Sequence, residues 1–536
     1  MSPIKPIANC LSAITIFLSL SACNHTPSEQ SESLKEKRSQ TSERIGSPQL
    51  LSASTPISEE KKLAQEQADV VLIGSELEGL YLAKAAADEG LRVCILDPRP
   101  AFGGQVLQGE MLFLDATRDA HRKSLVQGRV KELFDGFKNG QIRKIHDFQH
   151  YMEKLVKGIP VTQAVRIGQV GKVTGVDGNE HISSLTYTTS DGVQHHITAS
   201  SWVENTDYAA FVNQLHVTRA PGLEKLYGQS KIEYMGSSYM MKFKHVNWKK
   251  WLSVFNSMKL EERKKKFGTA FLTESYALSF DAVTKAYKPT SDRLFLRGFN
   301  AINQLNGDVL INGLLIFDVN PADDASVNQA IALGQKEIPF ILELFRKNLP
   351  GWENAELNGF PPYLYIREYN HYETAYTLQA SDLLSGRMFD DNVSIGGYPI
   401  DLQGITANKW GVEMGRPDKY GIPLRSFVLK GYDNVLMAGK NVGASAIAYG
   451  SVRIQPNTST AAESIGVLLG ELRGTKYTVA NVPAMEMERV QHLLAMKYHI
   501  NVIGVRGENR VQGWSKDELQ KLDTGEINIT TYKHKK

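Results

Sequence analysis

Cysteine is scarce in this chain: Cys10 and Cys23 lie near the amino terminus, and Cys94 is the third and last among 536 residues. Because no Cys-x-x-Cys pair exists, disulfide exchange through neighbouring thiols is excluded. An excess of charge of one sign is also missing, since 61 Lys and Arg residues face 58 Asp and Glu residues, for a net charge of +3. A dedicated nucleic-acid binder needs a strong basic excess, so we expect no nucleic-acid partner.

Long hydrophobic runs and metal-ligand patterns are missing too. The apolar run at residues 11–20 is well short of the ~20 residues that span a bilayer. The thirteen histidines show no ligand spacing, and the adjacent His195 and His196 would point to opposite faces of a strand. We therefore expect no metal site. Hydrophobic content of 42% and charged content of 22% are typical of globular domains.

The amino terminus has the pattern of a secretory signal peptide. Lys5 precedes the apolar run, and Ser21, Ala22 and Cys23 follow it. Small residues directly before Cys23 resemble the lipobox of bacterial lipoproteins. The resemblance implies a signal peptide over residues 1–22, a lipid group on the Cys23 thiol, and a lipid-anchored position in the bacterial cell envelope, outside the cytoplasm. An ordinary cleavage site with an unrelated cysteine is the alternative.

The segment after Cys23 predicts a disordered tether over residues 23–66. It has no Phe, Tyr or Trp and is rich in Ser, Glu, Gln, Thr and Pro. Such a segment buries too little apolar surface to offset the entropy of ordering it. Whether it holds a folded body away from a membrane or has no spacing role stays open.

Residues 68–97 carry the pattern of a dinucleotide-binding β-α-β unit. An apolar run at 70–73 predicts a buried parallel strand, a glycine turn leads into an alanine-rich helix over 80–88, and a second strand over 92–96 ends at Asp97. Asp97 follows the first glycine of the turn by 23 residues, close to the ~20 expected for the ribose contact. An acid here favours FAD or NAD over NADP.

One position departs from the G-x-G-x-x-G fingerprint. The turn carries Gly74, Ser75 and Gly79, but Glu76 stands where a second glycine lets the backbone approach a diphosphate. A carboxylate there is repelled by a diphosphate unless its side chain points away or is paired. An ordinary β-α-β unit without a nucleotide is therefore the alternative interpretation.

The residues that follow resemble FAD-dependent oxidoreductases with a glutathione-reductase-like flavin domain. Pro98, Gly103 and Gly104 match the loop and double glycine after the acid, and residues 361–404 resemble a middle segment with an arginine-bearing strand and a Tyr-Pro-Ile-Asp motif. Residues 420–472 resemble the closing segment of the family. They include a strand ending in Ala-Gly, a glycine-and-arginine turn and a helix, and supply Gly439, Arg453 and Gly466.

The resemblance implies FAD as the cofactor and an α/β fold, with a Rossmann-like three-layer FAD-binding domain and an inserted α+β substrate domain. The flavin domain then comprises residues 67–215 and 396–475, the substrate domain residues 216–395, and a carboxyl-terminal appendage residues 476–536. Short alternating runs with Asp-Gly pairs over 169–205 independently predict a β-meander. Cys94, inside the second strand, is expected to be a buried small hydrophobe.

Five polar residues in the family-like segments are candidates for substrate contact and catalysis: Arg367, His371, Tyr398, Asp401 and Arg425. Arginine recognises carboxylate or phosphate with two donors, and histidine moves protons near neutral pH. Many family members carry a histidine just after the Tyr-Pro-Ile-Asp segment, where this chain has Gln403. A helix predicted to begin near Thr458, after Arg453, is the candidate for stabilising reduced, anionic flavin.

The sequence therefore predicts a membrane-tethered FAD-dependent oxidoreductase that transfers hydride between FAD and a small-molecule or saccharide-like substrate. No motif identifies the electron acceptor. A non-catalytic lipoprotein that keeps the flavoprotein fold as a binding or assembly module is the alternative, favoured by Glu76 and Gln403. A nicotinamide-linked dehydrogenase would leave the closing flavin segment unexplained.

Overall fold

A computed structural model describes residues 64–534 of the chain. The signal peptide, Cys23 and all but the last residues of the predicted tether lie outside the described residues. The strands are β1 (Ala64–Gln67), β2 (Val70–Ile73), β3 (Val93–Leu96), β4 (Val161–Thr162), β5 (Arg166–Thr174), β6 (Glu180–Thr188), β7 (Gln194–Thr198), β8 (Ser201–Glu204), β9 (Arg219–Ala220), β10 (Ser237–Lys244), β11 (Ala270–Leu272), β12 (Tyr276–Ser279), β13 (Leu294–Asn303), β14 (Val309–Ile316), β15 (Glu356–Leu357), β16 (His371–Tyr372), β17 (Asn392–Gly396), β18 (Asp401–Leu402), β19 (Val412–Glu413), β20 (Tyr420–Pro423) and β21 (Val435–Met437).

The helices are α1 (Leu77–Asp88), α2 (Gly104–Leu107), α3 (Val130–Asn139), α4 (Ile145–Leu155), α5 (Leu223–Leu226), α6 (Trp248–Ser257), α7 (Leu260–Phe267), α8 (Asp281–Lys285), α9 (Asp324–Asn348), α10 (Ala380–Leu384), α11 (Tyr449–Val452), α12 (Gln455–Leu472), α13 (Ala484–Lys497) and α14 (Lys516–Thr524). None of the helices in the described range is long and apolar enough to span a bilayer.

A parallel sheet with strand order β21-β8-β2-β3-β4 forms the middle of three layers. Successive side chains of a strand point to opposite faces. Val70 and Leu72 accordingly pack in the core shared with helices α1 and α12. Val71 and Ile73 pack in a second core, against the antiparallel strands β5, β6 and β7. The predicted three-layer α/β fold and its β-meander are confirmed.

The first strand corrects the carboxyl-terminal limit of the predicted tether. Residues 64–66, predicted as disordered, belong to β1, which pairs in parallel with β7. The Glu66 carboxylate contacts the His195 ring at 2.7 Å and accepts a hydrogen bond from the Tyr187 hydroxyl at 2.8 Å. Polar composition favoured disorder, but an unpaired sheet edge supplies backbone partners that a composition argument does not see.

A second, antiparallel sheet with strand order β11-β12-β13-β14-β10-β15 lies within the predicted substrate domain. Helices α6–α9 pack on it around a core rich in aromatic side chains. Trp251, for example, contacts the rings of Phe280 and Trp352 with centroids 5.1 and 5.6 Å apart. This α+β unit is large enough to have its own core, as an inserted domain requires.

The last segment of the chain packs onto the core that the parallel sheet shares with helices α1 and α12. Helix α13 contributes Val490 and Leu494 to that core. Helix α14 begins after Ser515, whose hydroxyl accepts a hydrogen bond from the Glu518 amide at 3.2 Å in a capping box. The Asp523 carboxylate accepts two hydrogen bonds of 2.7 Å from Ser381.

Candidate functional site

The turn after β2 has the shape that a dinucleotide fingerprint requires. Gly74 has a φ of +99°, which favours glycine, and a side chain there would come within 2.4 Å of the Asn205 carbonyl oxygen. The Asn205 side chain accepts a hydrogen bond from the Gly79 amide at 3.1 Å and donates one to the Glu76 carbonyl at 2.9 Å. Asn205, at the end of β8, thus fastens both ends of the turn.

Asp97 ends β3 directly beside this turn, as predicted. It is 1% exposed, and its carboxylate accepts hydrogen bonds from the Ser75 hydroxyl and from the Arg99 amide. The Ser75 hydroxyl also accepts a hydrogen bond from the Gly103 amide at 2.8 Å. Burial raises the pKa of Asp97. The acid, the turn and the double-glycine loop after Pro98 therefore form one connected unit.

The Glu76 side chain lies between the turn and the double-glycine loop. Its two carboxylate oxygens accept hydrogen bonds from the Gln105 amide at 3.2 and 3.0 Å. A Cβ added at Gly104 would lie 2.4 Å from the Glu76 Cδ atom. Arg99 is the countercharge, with its Nη1 atom 3.6 Å from a Glu76 oxygen. We call residues 74–79 together with residues 103–105 the phosphate cradle.

Helix α12 presents its amino end to the interior, three residues earlier than predicted. It begins at Gln455 rather than near Thr458, because Pro456 is accommodated in the first turn. The Thr458 hydroxyl donates to the buried Glu78 carboxylate at 3.4 Å, which ties the helix to the phosphate cradle. Arg453, just before the helix, donates to the Asp401 carbonyl at 3.4 Å.

Gly466 packs helix against helix in the structure. It lies midway along α12, and a Cβ there would come within 2.4 Å of the Leu82 carbonyl oxygen in α1. Gly439, by contrast, lies beside the cradle: it has a φ of +62°, and a Cβ there would contact Glu78 at 3.3 Å. Lys440 follows it and donates to the Ile366 carbonyl at 2.7 Å. Burial lowers the pKa of Lys440.

A polar cluster lies next to the amino end of α12. Tyr398 donates a hydrogen bond from its hydroxyl to the Asp115 carboxylate. Burial raises the pKa of Asp115, and Asp401 raises it further, while Arg453 and the tyrosine hydroxyl lower it. Burial also raises the pKa of Tyr398. A buried carboxyl group with a raised pKa that accepts a hydrogen bond from a tyrosine hydroxyl, as Asp115 does from Tyr398, is suited to general acid–base chemistry.

Three guanidinium groups face this cluster, and we call Arg297, Arg367 and Arg453 the arginine cluster. Among residues 64–534, none of them forms an ion pair with a carboxylate within 4.0 Å. Burial, with the charges of the other two arginines, lowers the pKa of Arg367 to about 9, so its guanidinium stays charged at neutral pH. Arg367 donates to the Gly236 carbonyl at 2.5 Å and to the Ser238 hydroxyl at 2.7 Å.

Gln403 connects the cluster to Asp401. Its side-chain amide donates to the Asp401 carboxylate, and its carbonyl oxygen accepts from Arg297. Gln403, found where many family members have a histidine, is thus a neutral side chain that bridges the Asp401 carboxylate and the Arg297 guanidinium group.

His371 and Arg425 are placed differently from the other candidates. His371 contacts the Glu368 carboxylate at 2.7 Å and packs edge-on against the Tyr449 ring. Arg425 is half-exposed and pairs with Asp391 through two contacts of 2.9 and 3.0 Å. The structure brings Arg367, Tyr398 and Asp401 together with Arg453, but does not bring Arg425 to them.

Among the residues of the site that escaped the sequence analysis are Asn205, Asp115 and Arg297. Asp115 follows the apolar run 111–114, and Arg297 interrupts the apolar pattern of β13. A charge set against an apolar run was the available signal for both. Asn205 gave none, because its role depends on a contact with a turn 126 residues away.

The fold and the site define a dinucleotide-cofactor-binding α/β protein. A model of the FAD-dependent oxidoreductase family matches residues 69–494, so the chain belongs to that family. FAD is accordingly its cofactor. No curated protein matched the chain.

Solved structures with a similar arrangement share little sequence with this chain. A geranylgeranyl bacteriochlorophyll reductase-like protein from Thermoplasma acidophilum is 12% identical, covers 87% of this chain and 94% of its own, and has a TM-score of 0.39. A p-nitrophenol 4-monooxygenase from Pseudomonas putida is 10% identical, with the same two coverages and a TM-score of 0.35. At these scores the family assignment rests on the family model.

The residues present fit FAD. Buried polar atoms lacking a partner in the described chain include both amide atoms of Gln105, Arg453 Nε, Gln455 Oε1 and Asn457 Oδ1. Buried polar groups are normally paired, so atoms at the phosphate cradle and at the amino end of α12 are groups that a polar cofactor would satisfy. Asp97, Gly103 and Gly104 would hold the adenosine and diphosphate end. Arg453 and the start of α12 would lie at the flavin ring.

Proposed function

We propose that this protein is an FAD-dependent oxidoreductase that transfers hydride between FAD and an anionic, hydroxyl-bearing small molecule, such as a sugar acid. The observation that carries the proposal is the arginine cluster: Arg367 and Arg453 are buried, Arg297 is half-buried, and none of the three has a carboxylate within 4.0 Å among the described residues. Buried charges are normally paired, since isolated ones are costly to desolvate. A substrate carboxylate would supply the missing partner.

Each side chain then has a role that follows from its chemistry. Arg367 and Arg297 bind and orient the substrate anion through paired N–H donors. Asp115 and Tyr398 accept or return the proton of the substrate hydroxyl. FAD, when bound, would supply the hydride chemistry. Arg453 and the start of α12 would stabilise the negative charge of the reduced cofactor.

The test uses matched substrates. The full-length protein is purified, extracted with detergent if it stays with membranes, and its visible absorption is examined for flavin. Flavin reduction under anaerobic conditions is then measured with a uronate and with the corresponding neutral hexose, and with a 2-hydroxy acid and its alcohol. Faster reduction by the acid of either pair supports the proposal. Reduction by the neutral partner alone would contradict the substrate class, and protein that refuses added FAD would contradict the function.

We also propose that the enzyme is tethered to a membrane of the bacterial envelope through Cys23. The lipobox-like sequence before Cys23 supports this proposal. The test is fractionation of cells that express the wild type and the Cys23→Ser variant. Wild type in the membrane fraction with the added mass of a lipid, and a variant without that mass, is the expected result. Equal partitioning and equal mass would overturn the tether and leave the oxidoreductase proposal intact.

A non-catalytic binding module with the same fold is the second candidate. The observation that favours it is the position of the Glu76 carboxylate, which accepts hydrogen bonds from the Gln105 amide in the phosphate cradle. Protein that stays colourless, binds no added FAD and yet carries a bound small acid after purification would favour this alternative.

A further inference from the structure

Glu76 takes up donors that a bound diphosphate needs. It lies at the N-cap position of α1, with no hydrogen bond from its side chain to its own helix. Its carboxylate turns instead toward the double-glycine loop and accepts from the Gln105 amide at 3.2 and 3.0 Å. Helix amino ends and glycine loops bind phosphate through such amides. The Glu76 carboxylate is therefore an anion, supplied by the chain itself, at a place where a phosphate would bind.

Two further observations show that the surrounding residues accommodate the Glu76 carboxylate in the phosphate cradle. Glu76 is 6% exposed, and Arg99, whose side chain is 10% exposed, lies 3.6 Å from it. Gly104 has a φ of +50° and no side chain, and this leaves the space that the Glu76 carboxylate enters, 2.4 Å from where a Cβ would be. A buried carboxylate paired with arginine and held by a backbone amide has the partners that a phosphate would have.

We infer that Glu76 is an internal competitor of the cofactor diphosphate, so that it sets the FAD affinity of this chain. The inference deepens the proposed function and rests on FAD as the cofactor. Binding of FAD then requires the Glu76 side chain to leave the cradle and to give up Arg99 and the Gln105 amide to the diphosphate. The expected consequence is a chain that exchanges FAD readily, unlike one with glycine at this position.

The experiment compares variants and ligands that isolate the diphosphate. Glu76→Gly vacates the cradle, and Glu76→Gln keeps the shape but removes the charge. Glu463→Gln is the matched control, because Glu463 is a buried carboxylate that, like Glu76, is paired with an arginine, but it lies outside the phosphate cradle, with Arg129 2.9 Å from it. Dissociation constants are measured by calorimetry and flavin fluorescence for FAD, for ADP, which carries the diphosphate without the flavin, and for riboflavin, which lacks phosphate.

The expected result is affinity at least ~10-fold tighter for both FAD and ADP in Glu76→Gly, because a like charge no longer opposes the diphosphate. Glu76→Gln gains less, since its amide still fills the cradle. Glu463→Gln gains nothing for ADP, and riboflavin binding stays unchanged throughout. Thermal unfolding without ligand checks that each variant folds; Glu76→Gln serves alone if Glu76→Gly does not.

Several outcomes overturn the inference. Equal FAD and ADP affinities in wild type and both Glu76 variants do so while leaving the oxidoreductase function standing. An equal gain for riboflavin also does so, because the effect would then lie outside the phosphate cradle. Absence of FAD and ADP binding in every variant overturns the inference and FAD binding together. The predicted gain for ADP in a protein that reduces no substrate upholds the inference and removes the oxidoreductase proposal.

Discussion

The phosphate cradle and the arginine cluster differ in whether their charged groups have ion-pair partners within the protein. In the cradle, Arg99 pairs with Glu76 and Asp207 and lies 4.0 Å from the centre of the Tyr363 ring, so positive and negative groups satisfy one another. In the arginine cluster, two buried guanidinium groups and the half-buried one of Arg297 have no ion-paired carboxylate within the described residues. The charges of the cradle are therefore paired without a ligand, whereas the arginine cluster has positive charge left for one to pair with.

Removing Arg99 should have the largest effect on stability. Arg99→Met leaves the Glu76 and Asp207 carboxylates buried without a countercharge, which costs about 3–5 kcal/mol. The free energy of unfolding, measured by urea denaturation of the FAD-free protein, checks this value. Arg92→Met is the control, because Arg92 pairs with Asp69 at the surface, with its side chain 58% exposed, and its loss should barely change the midpoint. Equal losses in both variants would erase the distinction between the cradle and an ordinary surface pair.

Removing Arg367 should reverse this pattern, with a small loss of stability and a large loss of activity. Arg367→Met gives up two neutral hydrogen-bond acceptors, worth about 1 kcal/mol each, but strands no buried carboxylate. Loss of a charged substrate contact should lower kcat/KM for flavin reduction by the acidic substrate about 100-fold. Arg489→Met, which removes a half-exposed arginine from its pairs with the partly exposed Glu471 and Glu486, is the control. A kcat/KM that Arg367→Met leaves unchanged would remove the substrate role of the arginine cluster.

The two regions also differ in how far the sequence predicts them. The β-α-β unit that ends at Asp97 was predictable because its strands, glycine turn, helix and acid follow one another along the chain. Local periodicity is enough to identify such a unit. The arginine cluster collects Arg297 from β13, Arg367 from a loop and Arg453 from the start of α12. Only the family resemblance singled out the last two, because a contact across separate elements leaves no spacing signal.

Glu76 and Arg425 also show that sequence alone does not give the direction of a side chain that depends on a residue far away in the chain. Sequence identified Glu76 as the departure from the fingerprint, but whether it pointed away or into the cradle depended on Gly104, which lies on another loop. Arg425 has the residue type and the family-like surroundings of a substrate contact. Its partner Asp391, 34 residues away, holds it at a half-exposed position instead.

A third buried charge, Glu463 in α12, should make stability depend on pH. It is 1% exposed, and burial outweighs the ion pair with Arg129, raising its pKa to about 7. A raised pKa in the folded state means stabilisation below the ordinary value of 4.5, lost as pH rises through about 7. Between pH 5 and 8 the wild type should lose about 2–3 kcal/mol relative to Glu463→Gln. Parallel curves for the two proteins would contradict the raised pKa.

Alkylation of Cys94 gives the smallest effect and reports on the cradle directly. Cys94 lies in β3, three residues before Asp97, and is half-buried rather than fully buried as predicted; the partial burial still raises the pKa of its thiol to about 12. Because the thiolate is the nucleophile, iodoacetamide at pH 8 should label the folded protein far more slowly than the urea-unfolded chain. Arg99→Met should increase the rate of labelling, measured by mass spectrometry, because opening of the nucleotide half becomes more frequent. Arg367→Met should not, since the arginine cluster carries charge that the fold does not need; equal acceleration by both variants would show that the two regions open as one.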